Sequence, residues 1–310
     1  MSSIAPPAPV GVVPTRVILP FIIVTLIWGS TWTAIRYQIE AGVDPFWSIG
    51  LRFGTAAIAM FAYGAFLRQP LRLPPAGYTY AVVFGSFQFF LNFVFVYQAQ
   101  RYITSGVVAM FFALLIVPNA VLGRIFLKMP IGREFLIGSA IAVAGMALLF
   151  AHEIEVVARE GSGRTALGIG FVMISLLFAS AANVSQAAER VRALPPVAVL
   201  AWGMTAGGSF AILTALARGG LPDTPLTPLY IGSTLYLGLL GSALTFPLYF
   251  FMIRQIGPAR AAYSGVAVPV IAMILSTLLE GYRWSIPAAF GSLLALGGLV
   301  IALRARKPAA

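Results

Sequence analysis

The chain has 310 residues, 60% of them apolar and 9% charged, with a net charge of +11 and no cysteine. A mean hydropathy of +0.93 excludes a soluble globular domain, and the missing cysteines exclude disulfides and thiolate chemistry while leaving the compartment open. The basic residues are scattered over short connectors rather than gathered on one face, which excludes a nucleic-acid interface.

Crossing about 30 Å of hydrocarbon takes roughly 20 mostly apolar residues. Residues 1–16 read as a Pro- and Ala-rich cytoplasmic tail ending at Arg16. The apolar run that follows is too long for a signal-peptide core and is expected to be a retained helix. Ten spans are predicted, at 17–37, 46–67, 77–99, 103–123, 132–151, 166–188, 196–217, 228–253, 258–279 and 286–304. The longest connector, 152–165, is charged and divides the chain into two five-span units, 17–151 and 166–304, before a short cytoplasmic tail at 305–310.

The two units are copies. One shift of 153 (203 minus 50) places Gly50-x-x-x-Gly54 on Gly203-x-x-x-Gly207 and Arg101-x-Ile103 on Arg254-x-Ile256. The same shift places Gly138-Ser139 and Gly145 on Gly291-Ser292 and Gly298. An odd number of spans per copy obliges the second copy to enter the bilayer from the opposite side, which is secondary-transporter architecture. With the N-terminus inside, inner segments hold 13 Lys and Arg against 6 in the outer ones, so both termini are expected in the cytoplasm.

Trp28-Gly29-Ser30-Thr31 in the first span, with Pro45 and Arg52-Phe53 in the second, completes a pattern that resembles the EamA-type ten-helix members of the drug/metabolite transporter superfamily. Within that group the chain is similar to exporters of aromatic and other neutral amino acids. The resemblance covers about 17 to 304. It implies an all-α bacterial inner-membrane carrier with a central cavity between the halves, and helices 5 and 10 at the back. Gly138-x-x-x-Ala142 and Gly291-x-x-x-Ala295 suit that close packing.

Several residues are candidates for the transport path. Trp28 falls roughly 16 Å into its span, too deep for the interfacial aromatic belt, with Ser30, Thr33 and Trp32 nearby. The third span adds Tyr80, Gln88, Asn92 and Tyr97; Gln88 and Asn92 share a face and need protein or water partners rather than lipid, either solute or neighbouring helices. Ser180 and Asn183 mirror Ser30 and Thr33 at a shift of 150, and Tyr249 and Tyr263 supply further hydroxyls. Pro118 and Pro269, 151 apart, each remove a backbone donor and are the expected hinges. Arg52 is the one basic residue well inside a span; it either meets a substrate carboxylate or snorkels outward to Asp44 or Glu40.

No Asp or Glu falls near the middle of a span; Glu134, Glu189 and Glu280 lie at helix ends, as does the single histidine, His152. That absence favours a neutral or zwitterionic substrate and argues against obligatory proton exchange, intramembrane proteolysis and metal chemistry. The expected protein is a monomeric carrier without cofactor, its partners a small-molecule solute and the lipid bilayer. Drugs, purines and other hydrophobic metabolites are the alternative cargo, a channel or lipid flippase the alternative mode, and a membrane enzyme the alternative class. A reporter active only in the cytoplasm is expected to work when fused to either terminus; activity at one end alone removes the ten-span assignment.

Overall fold

Proline marks where many of the helices start. Pro45, Pro75, Pro196 and Pro228 each occupy a first helical position, where the missing N–H costs nothing and the fixed φ is already helical. Asp44 adds a cap, its carboxylate accepting from Phe46 N at 2.8 Å, and Thr227 Oγ1 accepts from Tyr230 N at 3.2 Å. The computed structural model describes residues 15–128, 133, 136–145, 147–148, 164–186, 188–221, 227–256, 264–281 and 283–304. Their regular structure is helical throughout.

The helices are α1 (Thr15–Glu40), α2 (Pro45–Phe66), α3 (Pro75–Ala99), α4 (Ser105–Leu127) and α5, described over Leu136–Gly145. The second unit holds α6 (Arg164–Gln186), α7 (Pro196–Gly219), α8 (Pro228–Leu235 continuing through Tyr236–Leu244 into Thr245–Ile256), α9 (Ser264–Leu279) and α10 (Ile286–Arg304). A single turn, Glu189–Arg192, lies between α6 and α7. Seven of these, α1 to α4 and α6 to α8, are long and apolar enough to cross a bilayer as described. Large side chains such as Ile58, Phe66, Phe126, Leu213 and Leu293 stand exposed on the perimeter, as lipid-facing residues must. The molecule is a polytopic membrane protein.

Several helix contacts of one repeat are answered by the other. α1 lies against α9, and α6 against α4; α3 lies against α6, and α8 against α1; α3 meets α7, and α8 meets α2. The helices that are their own counterparts, α2 with α7 and α4 with α9, pack on each other.

The reciprocity is sharpest between α5 and α10. A Cβ on Gly145 would lie 2.3 Å from Ala295 N and 2.7 Å from Gly291 O. A Cβ on Gly298 would lie 2.3 Å from Ala142 N and 2.6 Å from Gly138 O. Residue i touches j, and the partner of j touches the partner of i, which is the signature of a two-fold axis. The early part of α5 meets the late part of α10, so the two run antiparallel. An axis relating antiparallel helices is perpendicular to both and therefore lies in the membrane plane, as inverted repeats require.

Irregular backbone is distributed differently from the expectation. α4 breaks at Leu114 and Leu115, where Leu114 N and Val117 N reach carbonyls only three residues back, directly ahead of Pro118. α9 instead continues through Pro269, so the matched pair of breaks is seen in α4 and not in α9. The matched irregularities are π-helical turns, Ser86–Leu91 in α3 and Tyr236–Leu244 in α8. The first falls within the second at the repeat shift. In α8 the cause is Pro247, which removes a donor and crowds the carbonyl of Ala243, so the ladder widens just before it. α3 widens at the corresponding place without a proline.

Leu in place of Gly145 or Gly298 must drive backbone from backbone. Each substitution is expected to cost about 3 kcal/mol or more, read as a fall of several degrees in the thermal midpoint of detergent-solubilised protein. Gly297→Ala, where a Cβ meets open space, is the matched control and is expected to hold or raise that midpoint.

Candidate functional site

Trp28 joins the two repeats. Its indole Nε1 donates to Thr245 Oγ1 on α8 at 2.8 Å, and Thr245 Oγ1 in turn donates to Gly241 O at 2.9 Å. The indole packs edge-on to Phe246, with centroids 5.7 Å apart, and tilts over Tyr249 at 5.1 Å. Two residues along α1, Ser30 Oγ lies 2.6 Å from the Tyr236 hydroxyl, again on α8. Trp28, Ser30 and Tyr249 are therefore brought together in one half-buried box between α1 and α8. Thr245 stands at Asn92 plus 153, so the repeat itself was the signal that could have found it.

A second polar group lies nearer the Glu40 end of α1. Gln38 is fully buried; its Nε2 donates to Thr234 Oγ1 at 2.7 Å, and its Oε1 accepts from the Tyr97 hydroxyl. Ser48 and Tyr230 share a hydrogen bond at 2.9 Å, tying α2 to α8. Gln38 was missed because the predicted first span stopped at 37, whereas α1 continues to Glu40. The amide then had to be satisfied inside the bundle.

Arg52 does not snorkel. It is 3% exposed, while Glu40 is paired with Arg36 at 2.8 Å and Asp44 caps α2. Its Nε donates to Ser242 Oγ at 3.3 Å, a long bond, and its guanidinium lies 4.3 Å from the Phe93 ring centroid and 5.0 Å from that of Phe53. One terminal nitrogen, NH1, has no acceptor. Cation–π contacts of about 2 kcal/mol offset part of the cost of burying the charge. No carboxylate is paired with it among the described residues.

The remaining candidates divide into satisfied and unsatisfied groups. Asn92 is spent on structure: it accepts from Ser175 Oγ on α6 at 2.9 Å and donates to Gln88 O at 3.3 Å. Tyr80 shares a 3.0 Å bond with Ser185 near the end of α6, away from the Trp28 box. By contrast Trp32 Nε1, Thr33 Oγ1, Gln88 Oε1 and Ser180 Oγ are buried without a hydrogen-bond partner. Such groups are costly in a dry core. Trp32 also stacks at a tilt on Phe112, 4.8 Å away. Asn183 is half-buried beside Ser180, and Tyr263 lies outside the described residues.

Cross-links gather at one end of the bundle. Arg36 NH1 donates to Gln100 O at 2.7 Å, joining α1 to the end of α3. The Glu280 carboxylate, just past α9, accepts from Ser105 N at 3.1 Å, from the Ser105 hydroxyl and from Ser276 Oγ at 3.3 Å. An anion there complements the exposed donors at the start of α4. Glu280 is thus a helix-end clasp, outside the middle of the span.

The family model described as the EamA-like transporter family matches this chain twice, over residues 15–151 and again over 166–304. Among curated relatives, Protein PagO of Salmonella typhimurium is 25% identical over 86% of this chain and 85% of its own length. The uncharacterized inner membrane transporter YedA of Escherichia coli K12 is 27% identical over 83% of this chain and 80% of its own. A solved crystal structure superposes with a TM-score of 0.65, covering 94% of this chain and 97% of the other at 19% identity, which speaks to the fold alone. Two matches in tandem, each spanning one five-helix unit, agree with the reciprocal packing of the helices: the chain belongs to the EamA-like transporter family.

Proposed function

We propose that this transporter exports small neutral or zwitterionic metabolites across the bacterial inner membrane, with aromatic and other neutral amino acids as the favoured class. The observation that carries the reading is the Trp28 box. Aromatic faces from α1 and α8 meet there beside hydroxyls from both repeats. Apolar walls with a few convergent polar groups are the usual form of a small-solute site. The unsatisfied Trp32, Thr33, Gln88 and Ser180 atoms supply the hydrogen bonds for a polar head.

Alternating access follows from the two-fold arrangement. With both termini cytoplasmic, the Glu40 end of α1 faces outward, and the Arg36–Gln100 and Glu280–Ser105 links hold the outer side shut. Bending where α4 breaks before Pro118, together with Pro269 inside the continuous α9, exchanges the openings. No embedded carboxylate is present to alternate between proton and solute, so net flux follows the solute gradient.

Counterflow in liposomes of purified protein tests the reading. Phenylalanine and leucine are expected to show saturable exchange. Trp28→Ala is expected to raise the half-saturating phenylalanine concentration about ten-fold, corresponding to roughly 1.4 kcal/mol of lost ring contact. Exchange of purines or lipid with no amino-acid movement sinks the substrate class, and non-saturable flux sinks the carrier mechanism.

A further inference from the structure

We infer that the solute is read through its carboxylate by Arg52, so that the cargo class extends from aromatic amino acids to aromatic carboxylic acids that lack the α-amino group. This rests on the proposal that the seam between the repeats carries a small aromatic solute.

Arg52 carries a permanent charge inside a membrane helix, seven residues after Pro45, with 3% exposure and no carboxylate paired with it among the described residues. Its Nε is held by Ser242 while NH1 lacks any acceptor. A guanidinium whose Nε is held and whose buried NH1 lacks an acceptor can give that hydrogen bond to a carboxylate. The charge does not belong to the duplicated scaffold, because its counterpart at the repeat shift is Thr205, whose hydroxyl turns back to Ala201 O at 2.8 Å.

The cation and the Trp28 box both bond to α8 near the end of its π turn. Ser242, which accepts from Arg52, and Thr245, which accepts from Trp28, are three residues apart there. A row of rings connects the same two points. Phe53 lies under the guanidinium, Phe89 is 4.9 Å from Phe53, Phe246 is 5.6 Å from Phe89, and Trp28 is 5.7 Å from Phe246. An anion site at the head of an aromatic row fits a molecule with an acid at one end and a ring at the other. The sequence has nine acidic residues, and none is near the middle of a span. An amine would find neutral oxygens and ring faces but no carboxylate, so the acid end alone meets a full opposite charge.

The test uses full-length protein in detergent and in liposomes, with three probes: phenylalanine, 3-phenylpropionate (acid without amine) and 2-phenylethylamine (amine without acid). The acid-bearing pair is expected to raise the thermal midpoint and drive counterflow, and phenylethylamine to do neither. Arg52→Gln is expected to weaken both acid responses about thirty-fold or more, with Arg52→Lys between it and the parent. Without ligand, Arg52→Gln is expected to melt at or above the parent, because it removes a buried charge lacking its counter-ion. A structural arginine would give the reverse, and such a fall in midpoint overturns the inference. So does phenylethylamine acting as well as the acids, a comparison that needs no variant. Phenylalanine moving while phenylpropionate neither binds nor moves overturns the carboxylate class yet leaves amino-acid export standing. Phenylpropionate binding through Arg52 without any amino-acid movement does the opposite.

Discussion

Inside lipid a backbone amide has no water to turn to, and every other feature of this molecule follows from that. Helices satisfy their own backbones, so side chains decide how they assemble. Because lipid tails are as apolar as leucine, burying a leucine between helices gains little. Close backbone approach through small residues and hydrogen bonds between helices supplies the cohesion instead. Gly145 and Gly298 let α5 and α10 touch backbone to backbone. Gln38, Tyr97, Ser48, Tyr230 and Ser175 spend their polar atoms across helix boundaries.

The same rule separates satisfied side chains from unsatisfied ones. Asn92 and Tyr80 have partners within the bundle, so they hold α3 to α6 and have little left for a ligand. Gln88, Thr33, Trp32 and Ser180 keep an unsatisfied atom, and Arg52 keeps an unsatisfied charge. Arg52 appears once, opposite a threonine.

Much of the architecture was legible because membrane helices announce themselves by length and apolarity, and because an unbroken shift of 153 exposes the duplication. The starts of α2, α3, α7 and α8 are written in prolines. What stayed hidden depended on partners far along the chain. Nothing local distinguishes Asn92, whose carbonyl is taken by Ser175, from Gln88, whose carbonyl oxygen is left without a partner. Arg52 was ambiguous for the same reason: snorkelling depends on what lies above the helix, and there the carboxylates of Glu40 and Asp44 are already engaged. Prolines proved a partial guide to irregular backbone. Pro118 follows a break, Pro269 does not, and Pro247 explains a wide turn that α3 reaches without one.

Those wide turns in α3 and α8 have a consequence for how the chain tolerates change in length. A π turn holds one residue more than the α turn it replaces, so each is a stored insertion. Removing one residue from Ser86–Leu91 leaves an ordinary α turn and keeps Pro75–Gly85 and Asn92–Ala99 in phase. The same deletion elsewhere in α3 would rotate everything beyond it by about 100° and swing Tyr97 away from Gln38. Each repeat thus carries its own slack in angular register, at the helix that runs closest to the polar seam.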